Sequence, residues 1–259
     1  MGALVLAEGG QFVPPGADSF VLPPIVGGIT KPMLLIALSA VIIGAYFVLA
    51  TRNLKLVPGK SQFAAEFLYE FSRNKIARDQ IGSKDFRPFV PLIFALFTFV
   101  LVNNIFGIVP FIQFPTMSRI GFPIALFLVA YVVIHAVGFK RHGFFGYFKH
   151  VMFPPGVPKP IYILLSPIEF FQKFVAQPVA LAIRVFAAMF AGHLILLVFT
   201  LGGQFLLLEA SAALKPVSVV AFAFAIALTF VEALIQVLQA YIFALLTANF
   251  IGAALAQEH

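Results

Sequence analysis

The sequence predicts an all-α, multi-pass membrane protein of about five transmembrane crossings, with an amphipathic helix lying in the interface and two long tilted helices at the C-terminal end. Three observations carry this. Of 259 residues, 61% are hydrophobic and only 10% are charged, more apolar surface than a soluble domain hides but no more than a bilayer absorbs. The apolar residues fall in runs that reach or exceed the roughly 20 residues a spanning helix needs. The 17 Lys and Arg residues lie mostly between these runs. The net charge of +7 therefore reads as loop charge beside lipid, not as a nucleic-acid surface. Cysteine is absent, which excludes disulfides and thiolate metal sites.

Residues 1–30 contain no Lys or Arg and are rich in Gly and Pro. They lack the basic start, apolar centre and small-residue cleavage site of a signal peptide. They are expected to form a short, irregular, extracytoplasmic arm before a membrane domain at 31–259. The first helix, about 32–51, opens with Pro32, which a first helical turn tolerates, and closes at Arg52. At 62–79, Phe63, Phe67, Phe71 and Ile76 recur at helical spacing among Glu66, Glu70, Arg73, Lys75 and Arg78. That pattern suits an interfacial helix; a soluble amphipathic helix in a loop is the alternative.

Helix 88–110 again opens with Pro, and helix 120–141 closes on Lys140 and Arg141. The stretch 161–208 is too long for one upright span, and Lys173, Arg184 and His193 interrupt it. The last helix, 217–257, would run about 60 Å, twice the bilayer core, so it must tilt, lie partly flat or leave the membrane. No soluble domain and no internal repeat is evident.

Orientation follows from the loops. Eight Lys/Arg fall between Arg52 and Arg87 and four between Lys140 and Lys159, whereas the opposite segments carry Lys31, Arg119 and Lys215. The two basic segments are expected in the cytoplasm. Five crossings then leave the N-terminus outside and the C-terminus inside.

Charge at membrane depth costs at least a few kcal/mol, so each remaining polar group needs a reason. Arg184 lies between apolar runs, far along the helix from Glu169 and Glu209. It cannot become neutral. It calls for a negative charge from another helix or subunit, unless it snorkels to an interface. Lys173, Gln177 and Arg184 share one ideal helical face, and His193 stands nearly opposite, roughly 13 Å further along. The final helix carries Glu232, Gln236 and Gln239, spaced by four and three. Imidazole, carboxylate and amides on adjacent helices can hold water and relay protons. His193 taken alone also reads as a hydrogen-bonded interior histidine, and His135, alone in an apolar span, is expected to be structural. Alanine and glycine crowd both late helices, as close helix packing or a sliding surface requires.

These residues resemble a known family. The run Arg184-Val185-Phe186-Ala187-Ala188, followed by Ala191-Gly192-His193, is similar to the signature of F-type ATP synthase subunit a. So are Leu238-Gln239-Ala240-Tyr241 in the last helix, the helix exit Asn104-Ile105-Phe106-Gly107-Ile108-Val109-Pro110, and Ser166-Pro167-Ile168-Glu169. The resemblance runs from about Lys31 to the end. It departs at Val185 and Ala188, where the family pattern has Leu and Asn, and at Gln177, where a basic residue is usual. His193 and Glu232 resemble an exchanged arrangement of Glu and His found in other members, which places the two together in space.

The resemblance implies a non-enzymatic proton-channel subunit of the bacterial plasma membrane, without cofactor or bound metal. Its implied partners are a c-ring of proteolipid subunits, peripheral stalk b subunits, the remainder of the complex and the lipid bilayer. Protons are expected to enter from outside past His193 and Glu232, with Gln236 and Gln239 along the path, and to leave near Glu169. Arg184 is expected to face the rotor carboxylate. The rival reading is a secondary ion or proton transporter acting alone through Arg184 and Glu232, which predicts matched broken helices in inverted repeats.

Overall fold

The computed structural model describes residues 12–153 and 158–256, without the side chains of Val26, His150 and Lys159. The chain is an all-α membrane protein, and among the described residues five helices are long and apolar enough to cross a bilayer: α1 (Lys31–Thr51), α3 (Arg87–Ile105), α4 (Gly121–His142), α6 (Tyr162–Leu208) and α7 (Lys215–Leu255). Two shorter helices, α2 (60–81) and α5 (Phe144–Met152), lie between them.

The described part of the arm is more ordered than its composition implies. A single turn at Ala17–Phe20 precedes an antiparallel hairpin of β1 (Pro24–Val26) and β2 (Ile29–Thr30). Gly27 and Gly28 make its two-residue turn, both at positive φ (54° and 90°), which glycine adopts without strain. Lys31, at the start of α1, then donates from Nζ to the carbonyl of Ile112, 2.6 Å away.

Helix α1 is lightly held, burying only Pro32, Leu35 and Ser39. Ser39 is fixed by Asn103 of α3, whose Nδ2 donates to its Oγ at 2.8 Å, while Thr116 donates to Asn103 Oδ1 at 2.7 Å. Helix α2 widens to π geometry over Phe71–Arg78 and ends at Gly82, where φ is +97°. Its Ile76 and Ala77 are fully buried, while Phe63 and Phe67 stay exposed, an apolar face suited to lipid. Phe71 reaches Phe97 of α3 and Tyr241 of α7.

Helix α3 is the most deeply buried span. It ends at Ile105, five residues short of the expected 110. Beyond it the chain turns so tightly that the Phe114 N–H bonds back to the Phe106 carbonyl at 3.2 Å, with Phe111 and Gln113 at positive φ. Helix α5 lies within the expected basic loop. Gly143, at φ +71°, reverses the chain, and Gly138 leaves space on α4 for the Tyr147 ring, which a Cβ at 138 would strike.

Helix α6 contains a widened turn at Gln172–Ala176, so an ideal wheel does not carry Lys173 onto the face of Arg184. Helices α6 and α7 form a long antiparallel pair. Gly203 lies directly against Ala221 and Phe222, where small residues let the backbones approach. The inner stripe of α7 runs through Ala225, Glu232, Gln236, Ala240, Phe243, Ala244, Thr247, Ile251 and Ala254. This helix ends at Leu255, with Ala256 beyond it, and the expected end at 257 lies outside the described residues. With lengths of 47 and 41 residues, α6 and α7 exceed the bilayer core and cannot stand upright within it.

The main core gathers α2, α3, α4, α5, α6 and α7 toward one end of the bundle. A smaller cluster of Phe20, Leu35, Phe106 and Phe114 closes the other. The end carrying α2, α5 and the C-terminal turn of α7 is tied by His142 to the Ala254 carbonyl (3.1 Å) and by Asn249 to Gln80 (3.2 Å).

Candidate functional site

Leu181, Val185, Met189 and His193 recur every four residues along the buried side of α6, so the imidazole points at α7. Glu232 and Gln236, also four apart, face it from the inner stripe of α7. His193 Nδ1 stands 3.5 Å from Glu232 Oε1. Gln236 Nε2 donates to the same oxygen at 3.3 Å, and Asn104 Nδ2 of α3 donates to the Gln236 carbonyl at 3.2 Å. None of the four residues is more than 4% exposed. The turn after α3 seals this corner: a Cβ on Gly107 would sit 2.9 Å from Gln236 Nε2 and 3.2 Å from the Asn104 carbonyl, so only glycine fits there comfortably.

His193 and Glu232 are within ion-pair distance but not aligned for a hydrogen bond. His193 Nδ1, Glu232 Oε2, Gln236 Oε1 and Asn104 Oδ1 are all buried without a hydrogen-bond partner among the described residues. Each such group costs about 1–3 kcal/mol to leave unpaired. Polar density of this kind at membrane depth is costly to stability and is the usual mark of an ion pathway. An imidazole and a carboxylate side by side, with amides on either side, supply the donors and acceptors that a proton relay requires.

Arg184 is not part of this cluster. It lies on the exposed side of α6 with Ala180, Ile183, Ala187 and Ala191, and it has no ion-pair or hydrogen-bond partner among the described residues. Gln239, one turn beyond Gln236, is half-buried, and its side-chain oxygen is buried without a partner. Glu169 sits far down α6, about 36 Å along the axis from His193, paired with Lys173 at 3.8 Å. Of the six residues singled out from the sequence, His193, Glu232 and Gln236 come together, and Arg184, Gln239 and Glu169 occupy separate stations.

Asn104 belongs to the cluster although the sequence argument used it only as part of a helix-exit motif. The signal was there: two adjacent asparagines end an otherwise apolar span. Neighbours on a helix point about 100° apart, and these two serve different networks, Asn103 toward α1 and Asn104 toward α7. A separate cavity of about 120 Å³ at the other end of α6 is lined by His135, Tyr131, Tyr147, Lys173, Gln177 and Asn249, among others. Burial, and secondarily the neighbouring Tyr131, pushes the Tyr147 hydroxyl up to about 12, so it stays protonated beside His135 Nδ1, 2.9 Å away.

A family model described as ATP synthase A chain matches residues 33–252. The chain is 45% identical to an ATP synthase subunit a from Nocardioides sp., covering 98% of this chain and 96% of the relative. It is 47% identical to the one from Pseudarthrobacter chlorophenolicus over 98% and 97%, and 40% identical to the one from Streptomyces lividans over 97% and 91%.

Proposed function

The chain belongs to the ATP synthase A chain family, and from that premise we propose that it conducts protons through two half-channels against a rotating c-ring, coupling the proton-motive force to ATP synthesis. Membership makes it a membrane-sector subunit whose partners are the rest of an ATP synthase complex in a bacterial membrane. The observation that carries the finer reading is the contrast on one helix between the exposed, unpartnered Arg184 and the buried His193–Glu232 pair about 13 Å away.

Protons from outside reach His193 and Glu232, with Gln236 and Asn104 holding the path, and pass to a carboxylate on the ring. A protonated carboxylate crosses lipid at little cost, whereas a charged one does not. After nearly a full turn the proton leaves on the cytoplasmic side past Glu169. Arg184, always charged, stabilises the deprotonated carboxylate as it passes and keeps protons from running directly between the half-channels. The small residues beside it, Ala180, Ala187 and Ala191, let a ring helix approach. Gln239 stands near the exchange point. No bond is made or broken in this chain.

The end bearing α2 and α5 faces the cytoplasm because it holds most of the basic residues. Residues 1–30 are the extracytoplasmic arm of a membrane domain at 31–259, and peripheral stalk b subunits cover part of the exposed surface. Arg184→Ala in the intact complex is expected to abolish proton-driven ATP synthesis in membrane vesicles while leaving the complex assembled. Full synthesis by that variant would refute the role.

A further inference from the structure

The arm reaches the polar cluster. Phe12 contacts Phe205 at 5.6 Å between ring centroids, and eight residues later Phe20 contacts Phe190 at 4.7 Å. Between those contacts the arm descends about 20 Å along α6, from near its end to the depth of His193. There the Phe20 ring stands edge-on to the His193 imidazole at 5.9 Å. It is 4% exposed and shares a cluster with Leu35, Phe106 and Phe114.

Two facts set this contact apart from ordinary packing. The His193–Glu232 pair is nearly sealed, at 4% and 3% exposure, yet a proton arriving from water must reach it. The other recorded neighbours of the pair come from the spanning helices α3, α6 and α7 and from the tight turn after α3. Apart from the ring contacts of Phe12 and Phe20, residues 12–30 are held by one helical turn, a short hairpin and the Lys31 anchor. A segment with so few backbone bonds opens at a far lower free energy than a packed helix.

We propose that residues 12–30 form a lid with Phe20 as its positioning residue: the ring closes the extracytoplasmic approach to His193 and Glu232, and proton uptake requires the ring to move aside. The proposal rests on the channel reading above. Neither Asp18 and Lys31 on the arm and its base, nor Arg119 and Arg184, is paired with His193 or Glu232. The ring therefore acts by excluding water rather than by charge.

The chain has no cysteine, so a single Leu194→Cys reporter, packed against the Phe20 cluster, reads access directly. The assembled complex in right-side-out vesicles is treated with a membrane-impermeant methanethiosulfonate from outside. Phe20→Ala is expected to speed labelling several-fold, and Phe20→Met, which refills the volume, to restore the parent rate. Phe12→Ala frees the outer anchor and is expected to speed labelling even if Phe20→Ala does not assemble. Labelling unchanged in the assembled variants overturns the lid. Arg184→Ala in the same vesicles tests the channel separately: synthesis surviving that change sinks the channel reading, whatever the labelling shows.

Discussion

Glu232 and His135 show how differently two polar residues can be used in one membrane protein. Glu232 touches another titratable group and keeps one oxygen unpaired. His135 also leaves one atom unpaired, its Nε2, but it is wrapped in aromatic rings instead of polar groups: it stacks on Phe174 at 4.8 Å, meets Tyr131 edge-on at 4.0 Å and holds the Tyr147 hydroxyl. Glu232→Gln is therefore expected to slow proton flux through the reconstituted complex on the order of a hundredfold, the usual scale for losing a positioned proton-transfer group. His135→Ala should leave flux per assembled complex near the parent value while lowering stability by about 1–3 kcal/mol. Equal flux losses would remove the His193–Glu232 pair from the path. At this scale the spacing of Glu232 and Gln236 was legible, because four residues return to one helical face. Their meeting with His193 was suggested only by the resemblance, since periodicity does not say which helices adjoin. Phe20 was illegible: among 33 phenylalanines, nothing local marks the one that reaches an imidazole.

The spans were legible as elements because their length and hydropathy leave no alternative to helices. What surrounds them was less so. The hairpin at Gly27 and Gly28 is hidden in a stretch whose Gly and Pro content suggests irregular chain, although that dipeptide is a turn signal. Helix α5 was hidden because nine residues give too short a window to separate an amphipathic helix from a Phe-rich loop. Its docking depends on a non-local vacancy at Gly138, which no periodicity reveals. Gly138→Leu is expected to drive Tyr147 out, release α5 and lower the stability of the purified protein by about 1–3 kcal/mol, as overpacking does. Thermal unfolding in detergent checks the loss, and limited proteolysis near α5 locates it. A variant with parent stability and an uncut α5 would show that the contact carries no load.

For the molecule as a whole, the distribution of basic residues along the chain suffices to argue an orientation. It has a direct test. Lys84→Cys and Lys215→Cys, both at exposed positions, are expected to react with an impermeant thiol reagent only from the cytoplasmic and only from the outer side, respectively. The reverse pattern would invert the proposed direction of proton flow through the His193–Glu232 pair. The nesting of the arm against α6 was not legible at this scale, because it depends on contacts between segments about 170 residues apart in sequence.

The meeting of α7 with α2 has a mechanical consequence. At Gly252 the helix lies so close to the Gln80 carbonyl that any Cβ would collide with it. Backbone bears on backbone there, with no compressible side chain between. A rod of about 60 Å without lateral support would bow under any sideways load. The glycine seam makes α2 a stiff buttress for the far end of that rod, so a load on α7 passes into the packed helices instead of being lost as flexing.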